Sequence, residues 1–450
     1  MSTNHLEDIA GEVVRQALEG GASDAECTLA EGSEFSVSVR MRQVENIKEA
    51  GSRGAGLRVM KGLHAGSAYT SDLSAEGLRE LVRSAIELAG ISSEDPHAGL
   101  PSPEELGAIA GDLQLFHEDV DAADTPARIR MALEAEAAAL DLDPRIRNSE
   151  GAGFDSYSGR RVFANSRGFA GSYRASQCSL SAVPVAKEGD AMERDYWFSA
   201  ARSLAGLEAP AEVGRTAARR ALRRLGARKV ATGKYPVVFE PRSARSLIEN
   251  IYEAVHGEAI YRKASFLAGR LGETVASQQL TVIDDGTLPG LFGTSPFDDE
   301  GVPTRRTALI EKGVLKSYLL NCYTARKLGL KTTGSASRSL AGNPGIGHAN
   351  LFALAGQSSP EEIIGSVKSG FYVTELIGFG VNIVTGDYSR GAVGMWIDNG
   401  ELAYPVSEVT IAGNLREMLL GVDMAGSDLE FRGSAAAPTL RIGEMTVSGR

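Results

Sequence analysis

Tyr235-Pro-Val-Val-Phe-Glu-Pro-Arg-Ser-Ala-Arg-Ser-Leu-Ile-Glu-Asn-Ile-Tyr-Glu-Ala-Val-His-Gly-Glu-Ala-Ile-Tyr-Arg-Lys-Ala-Ser265 is the stretch around which the rest of the chain is interpreted. The apolar run 237–239 predicts a short strand. Ser243 is the expected N-cap of a helix, since apolar residues recur behind it at helical spacing as far as Val255. A hydrolytic enzyme would carry metal ligands on such a helix, yet this one holds a single histidine, His256.

Length and charge narrow the class of protein. A chain of 450 residues is long enough for two or three domains. The formal net charge of −11 argues against a nucleic-acid partner, which requires a concentrated basic face. One basic run, Arg215 to Lys229, has helical spacing and is interpreted as a solvated helix face.

Cysteine use and hydrophobicity favour a cytoplasmic protein. Cys27, Cys178 and Cys322 are odd in number and far apart, so we expect three small buried hydrophobic side chains rather than disulfides or a zinc ribbon. The N-terminus has no signal-peptide pattern, and no apolar run approaches the roughly 20 residues that cross a bilayer. We therefore expect no membrane contact.

The pattern of predicted elements indicates an α+β fold: two domains of mainly antiparallel sheet with packed helices, the C-terminal one strand-rich. Phe35 to Met41 alternates as a half-buried strand does, after a predicted turn at 31–33. Thr125-Pro126 is a strong helix start, with Thr125 as the N-cap and Pro at the first helical position. Asn399-Gly400 predicts a hairpin, and Ser359-Pro360-Glu361-Glu362 predicts a helix start with a capping box. We place an N-terminal domain at 1–232, with an exposed linker at about 92–104, and a C-terminal β-rich domain at 233–450.

No complete catalytic motif is present. The Gly-x-Gly pairs lack the third glycine of a dinucleotide site, and there is no Gly-x-Ser-x-Gly elbow. No two of the six histidines can share a helix face, and His256 and Glu258 lie about 200° apart on an ideal helix. The acids at 284–285 and 298–300 stand beside Gly and Pro and are explained by turns, with a carboxylate dyad or a calcium loop as the alternative.

Four long runs in the C-terminal half resemble one known family. They are Asp298-Asp-Glu-Gly-Val-Pro-Thr304, Gly386-Asp-Tyr-Ser-Arg-Gly-Ala-Val-Gly-Met-Trp396, Tyr404-Pro-Val-Ser-Glu-Val-Thr-Ile-Ala-Gly-Asn-Leu415 and Gly443-Glu-Met-Thr-Val-Ser448. On these the chain is identified as a member of the TldD/PmbA metallopeptidase family, in its PmbA (TldE) branch.

The resemblance implies a two-subunit peptidase. In this family the TldD-type subunit holds zinc with a His-Glu-x-x-x-His motif and a later cysteine, and its PmbA-type partner has the same fold without those ligands. The two form a heterodimer around a cavity that admits and cleaves unfolded peptides. Reported roles include maturation of a peptide antibiotic precursor and turnover of an antitoxin.

When the family's zinc motif is aligned with this chain residue by residue, none of its zinc ligands is present. With Arg262-Lys263 aligned to the family's Arg-Lys, the motif positions fall on 249–254, where Glu249, Asn250 and Ala254 replace His, Glu and His. An amide cannot act as a general base toward zinc-bound water. His256 and Glu258 lie outside the window, and no cysteine follows Cys322. The sequence thus predicts no catalytic, cofactor-binding or metal-binding residue in this chain, and zinc in its partner.

Three hypotheses follow. The first is a non-catalytic subunit paired with a TldD-like metallopeptidase. The second is an independent hydrolase that uses the acids around Asp298, or a metal held by His256 and His348. The third is a homodimeric peptide-binding protein.

Overall fold

The protein has an α+β fold, seen here in a computed structural model that describes residues 3–449. Its ten α-helices within that range are α1 (Thr3–Glu19), α2 (Ala75–Ile91), α3 (Glu118–Ala122), α4 (Thr125–Leu140), α5 (Pro210–Leu222), α6 (Pro241–Val255), α7 (Gly257–Tyr261), α8 (Cys322–Leu328), α9 (Pro360–Gly365) and α10 (Leu415–Leu420). None of the helices in the described range has the length and apolarity to cross a bilayer.

The strands of the same range fall into an N-terminal and a C-terminal group. The first group is β1 (Asp24–Arg40), β2 (Gln43–Lys61), β3 (His64–Thr70), β4 (Ile146–Asn165), β5 (Ala170–Glu188), β6 (Ala191–Arg194) and β7 (Trp197–Ala201). The second is β8 (Gly233–Phe239), β9 (Val282–Asp285), β10 (Arg306–Glu311), β11 (Val314–Leu315), β12 (Ala336–Ser337), β13 (Gly345–Ile346), β14 (Leu351–Ala353), β15 (Ser369–Ile377), β16 (Asp387–Asp398), β17 (Glu401–Asn414), β18 (Val422–Ala425), β19 (Ala435–Ala436) and β20 (Leu440–Ser448). The boundary at residue 233 as a limit of independent folding stays a prediction.

The N-terminal strands form one antiparallel sheet in the order β3-β2-β1-β4-β5-β6, with β7 also pairing β5. The turn predicted at 31–33 was wrong: β1 runs straight through these residues, which pair with 51–53 of β2 and with 158–160 of β4. Gly32 serves close packing instead, because a Cβ there would lie 2.7 Å from the ring of Tyr157.

Helices cover the N-terminal sheet through small and branched apolar side chains. α1 and α2 pack on β1–β3, and α4 and α5 pack on β4 and β5. The start of α4 differs from the prediction: Asp124, not Thr125, is the N-cap, and its carboxylate accepts the N–H of Ala127 at 2.7 Å. An ionised cap also complements the helix dipole, which favours Asp over Thr at this position.

The segment 92–104 is not simply an exposed linker. Leu100 is buried. The Arg326 guanidinium of α8 donates to the carbonyl oxygens of His97 and Gly99, both at 3.1 Å. These bonds tie the segment to the C-terminal half of the chain.

The C-terminal half is built from two main sheets with α6 between them. One has the order β17-β16-β15-β8-β20-β18 and the other β11-β10-β9-β14-β19, mostly antiparallel, with parallel pairs β8–β15 and β14–β19. The Asn399-Gly400 hairpin is confirmed between β16 and β17, with φ values of 50° and 84° that suit a type I′ turn.

Candidate functional site

Helix α6 positions the residues of the predicted window. It begins at Pro241 after the N-cap Glu240, so the predicted N-cap Ser243 was wrong by three residues. The Ser243 hydroxyl donates instead to the carbonyl oxygens of Val373 (2.8 Å) and Glu240 (3.0 Å), which binds the first turn to β15. The apolar face that the sequence predicted is buried in the C-terminal core.

The opposite face of α6 lines a cavity of about 570 Å³. Glu249 and Asn250 both border it, whereas Ala254 is fully buried in the core. Glu249 pairs with Arg245 at 3.4 Å on the exposed side of the helix, and the buried Asn250 Nδ2 has no hydrogen-bond partner among the described residues. Glu253 completes this face, and its pKa is raised by burial and by the charge of Glu249.

These window residues do not fit a zinc ion. Zinc binds imidazole, thiolate or carboxylate ligands, and a hydrolytic site needs three from the protein. The three positions of the window where the motif has ligands or its general base supply one ion-paired carboxylate, one amide and one methyl group, and Glu253 adds a second carboxylate. Within residues 3–449 no group of three His, Cys, Asp or Glu side chains is placed to hold a metal ion.

Aromatic and arginine side chains form the other walls of the cavity. Tyr196 and Trp197 lie beneath guanidinium groups, Arg242 at 4.0 Å from the Tyr196 ring centre and Arg432 at 4.2 Å from that of Trp197. Phe379, in the loop after β15, also borders the cavity and is fully exposed. Exposed aromatic surface of this kind is typical of a binding site rather than of a covered core.

The basic run 215–229 was only partly a solvated face. Arg220 is buried: its Nη2 lies 2.6 Å from a Glu240 oxygen, and its Nε lies 3.3 Å from Asp195. Arg224 pairs with Glu375 of β15 at 2.5 Å. Helical spacing alone could not reveal this, because the carboxylate partners come from other elements. The pairs fix the start of α6 against α5.

His256 ends α6 and begins α7, outside the 570 Å³ cavity. Tyr252 brings it near a second histidine, since the Tyr252 ring stands edge-on to His256 at 5.6 Å and to His348 at 5.0 Å between centres. Burial lowers the pKa of His256, which favours the neutral imidazole. Glu258 is exposed and pairs with Arg262 at 2.6 Å. The second hypothesis named His256 and His348 together, but their contact through Tyr252 could not be predicted, because the two histidines lie 92 positions apart in the chain.

The acidic clusters act mainly in turns. Asp298 is buried and accepts the backbone N–H groups of Glu300 (2.9 Å), Val302 (3.0 Å) and Ala336 (2.9 Å), as the turn interpretation predicts. Asp284 differs, because it is a buried residue of β9 that accepts the N–H of Ala349 at 2.7 Å. Its pKa is raised to about 7, chiefly by burial.

Sequence profiles of one family match three parts of the chain. Residues 25–89 match "PmbA/TldA metallopeptidase domain 1", residues 118–225 the central domain and residues 232–449 the C-terminal domain. Metalloprotease PmbA of Escherichia coli O157:H7 is 40% identical over 446 residues, 98% of this chain and 96% of its own length.

Other relatives extend the likeness to both branches and to known structures. A crystal structure from Bacteroides thetaiotaomicron VPI-5482 has a TM-score of 0.93 at 29% identity over 100% of both chains. TldE from Thermococcus kodakarensis shares the fold, with a TM-score of 0.88 at 22% identity over 98% of this chain and 100% of its own. A metalloprotease TldD homolog of Buchnera aphidicola is 27% identical over 392 residues, 84% of this chain and 80% of its own length.

Proposed function

The chain belongs to the PmbA/TldD metallopeptidase family, and from this premise we propose that it is a non-catalytic, PmbA-type subunit that works with a zinc-bearing, TldD-like partner in cleaving unfolded peptides. The observation that carries the proposal is the α6 window. Glu249 and Asn250 face the cavity where the family's zinc motif would stand, and neither imidazole nor thiolate is among them.

The cavity retains features that suit an extended peptide. The last strand of the five-stranded sheet, β19, borders the cavity, and among the described strands it pairs with β14 alone. Strand addition beside β19 is one way in which the subunit would hold an extended peptide. Tyr196, Trp197 and Phe379 supply apolar surface for side chains. In this proposal the subunit holds peptide and completes the chamber, and the partner supplies the zinc chemistry.

Metal content and activity test the proposal directly. The chain is purified alone and with a TldD-like subunit from the same organism, and zinc per chain and cleavage of an unfolded peptide are measured. We expect cleavage only by the pair, with the zinc in the partner. About one zinc per isolated chain, together with peptidase activity, would overturn the proposal.

The His256–Tyr252–His348 cluster supports a second candidate, an independent hydrolase. Replacing His256, His348 and Asp298 in turn by alanine distinguishes the independent hydrolase from the non-catalytic subunit. If the pair keeps its activity in all three variants, the hydrolase candidate fails. A homodimeric peptide-binding protein is distinguished by sedimentation with and without the partner.

A further inference from the structure

A second cavity, of about 470 Å³, lies between the N-terminal and C-terminal halves of the chain; none of residues 249–254 lines it, but His256 and Glu258 do. The N-terminal half contributes Arg58 of β2 and the segment around residues 92–98. The C-terminal half contributes the start of α7, Glu300 and the loop before β13. Small-molecule sites commonly occupy cavities of about 300–1,000 Å³ at such junctions.

Arg58 is a buried guanidinium with one free end. Its side chain is 4% exposed, and its Nη1 donates to Glu26 Oε1 at 2.9 Å. Nη2 has no hydrogen-bond partner among residues 3–449, and it is not fully enclosed by protein atoms. The small accessible part of Arg58 therefore faces the cavity that this side chain lines.

Glu300 presents the complementary charge. It is 1% exposed, and one oxygen, Oε2, accepts the N–H of Cys322 at 2.8 Å. The Cys322 thiol also hydrogen-bonds to this carboxylate, which lines the cavity and has no cationic partner within ion-pair distance among the described residues. Burial and the charge of Glu26 raise the pKa of Glu300, and the charge of Arg58 lowers it in part. Arg58 and Glu300 nevertheless form no ion pair, since the described carboxylate partner of Arg58 is Glu26.

The local charges do not balance without Glu300 or a ligand. Glu26 is shared between Arg58 and Arg338, which lie 2.9 and 2.8 Å from the same oxygen. Two guanidinium groups thus share one carboxylate. Among the other charges that line the cavity, Glu258 pairs with Arg262 and Asp95 with Lys327. Of the two buried charges, a small anion would leave Glu300 unmatched and a small cation would leave Arg58 unmatched, whereas a molecule with both charges close together satisfies both.

We propose that this cavity binds a free α-amino acid as its zwitterion, with the carboxylate on Arg58 and the ammonium group on Glu300. The rings of Tyr261 and Tyr323 line the same cavity and supply surface for the ligand side chain. Asn321 and Thr324 are hydrogen-bonded to each other at 2.8 Å and form a fixed polar wall. The site does not depend on any role in peptide cleavage.

Calorimetric titration of the full chain with a panel of proteinogenic L-amino acids tests the proposal. We expect at least one to bind. Its deaminated analogue, which lacks the ammonium group, and its decarboxylated analogue, which lacks the carboxylate, each bind at least tenfold more weakly, because each loses one charged hydrogen bond. The proposal is overturned if no amino acid binds, or if either analogue binds as tightly as the parent.

Three variants locate the binding. Arg58→Gln and Glu300→Gln should each weaken it at least tenfold, with the decarboxylated analogue binding equally to wild type and Arg58→Gln. Because Arg58 also pairs with Glu26, Ala98→Phe provides a second route, since it fills the cavity and leaves the charges intact. Arg202→Gln, at another buried arginine that lines a different cavity, is the matched control and should bind as wild type does. Unchanged affinity in all three cavity variants would refute the site.

Discussion

Arg219 and Arg220 are consecutive residues of α5 in opposite environments, which makes them a matched pair. Arg219 is exposed and lies 3.8 Å from Glu212, whereas Arg220 is buried between Glu240 and Asp195. Arg220→Ala leaves the buried Glu240 with Arg223 at 3.4 Å and the buried Asp195 with Arg242 at 3.6 Å, both more distant than the lost contacts with Arg220. It should therefore lower the free energy of unfolding by about 3 kcal/mol. Arg219→Ala should change it by about 0.5 kcal/mol or less. Urea unfolding measures both, and equal effects would contradict the buried network.

The three thiols offer a second prediction for single residues. Burial raises the pKa of Cys27 and of Cys178 to about 12, and burial with the charge of Glu300 raises that of Cys322. Because the thiolate is the reactive form, the native protein should not react with Ellman's reagent at pH 8, and the denatured chain should show three thiols. One rapidly reacting native thiol would indicate an accessible cysteine and contradict the described burial.

Asp284 should make the protein less stable as the pH rises. Its ordinary pKa is 3.8, and burial, opposed by the Ala349 N–H and reinforced by Asp285, raises it to about 7 in the fold. The folded state therefore holds a proton that the unfolded chain releases, so stability falls between about pH 4 and pH 7. Asp284→Asn should reduce this fall in melting temperature relative to wild type. The exposed Asp398→Asn serves as control, and identical pH profiles for Asp284→Asn and wild type would contradict the prediction.

Helix packing in the N-terminal half depends on a glycine at the contact of α4 and α5. A Cβ at Gly214 would lie 1.9 Å from the carbonyl oxygen of Ala135. Gly214→Ala should therefore force the helices apart and cost about 1–3 kcal/mol of stability. The control is Gly11→Ala in α1, where nothing lies within 4 Å, and alanine there should stabilise by about 0.5–1 kcal/mol. Thermal unfolding should give a lower melting temperature than wild type for Gly214→Ala and a higher one for Gly11→Ala.

The elements that sequence predicted well are those fixed by local chemistry. The Asn399-Gly400 hairpin and the capping box of α9, with Ser359 and Glu362, need only neighbouring residues and are confirmed. The Ser243 error arose because a distant partner decides: its hydroxyl donates to Val373 of β15. The Thr125 error was local, because the adjacent Asp124 is an equally good cap by composition and takes that position.

In the candidate site, too, the residues that are consecutive in sequence could be predicted and those brought together by the fold could not. The window at 249–254 could be placed from sequence because its residues are consecutive on one helix. The cavity in front of it could not, because its walls come from β7, β15 and the segment around residue 432. The neighbouring histidines, His256 and His348, are likewise joined only through Tyr252.

At the scale of the whole molecule, the two halves are joined by charged hydrogen bonds as well as by packing. Arg338 of the C-terminal half donates to Glu26 Oε1 and to Thr28 Oγ1 of β1, both at 2.8 Å. Its own backbone N–H donates to Asp299, and Asp299 pairs with Arg161 of β4, both at 2.7 Å. Arg338 therefore stands at the centre of contacts that hold the C-terminal half against the N-terminal sheet.

Arg338→Gln should loosen the junction between the halves, because Gln cannot bridge Glu26 and Thr28 and leaves Glu26 with Arg58 as its one cationic partner. Truncating one side of a buried charge pair costs about 3–5 kcal/mol, and here the loss falls on contacts between the halves rather than within either core.

Calorimetry should show one unfolding transition in wild type and two in the variant. Proteolysis near residues 226–233 should also become faster. Arg305→Gln, at an exposed arginine whose described bond is to its own loop, is the control and should unfold as wild type does. A single transition that moves as a whole to lower temperature in Arg338→Gln would mean that the halves unfold together without this link.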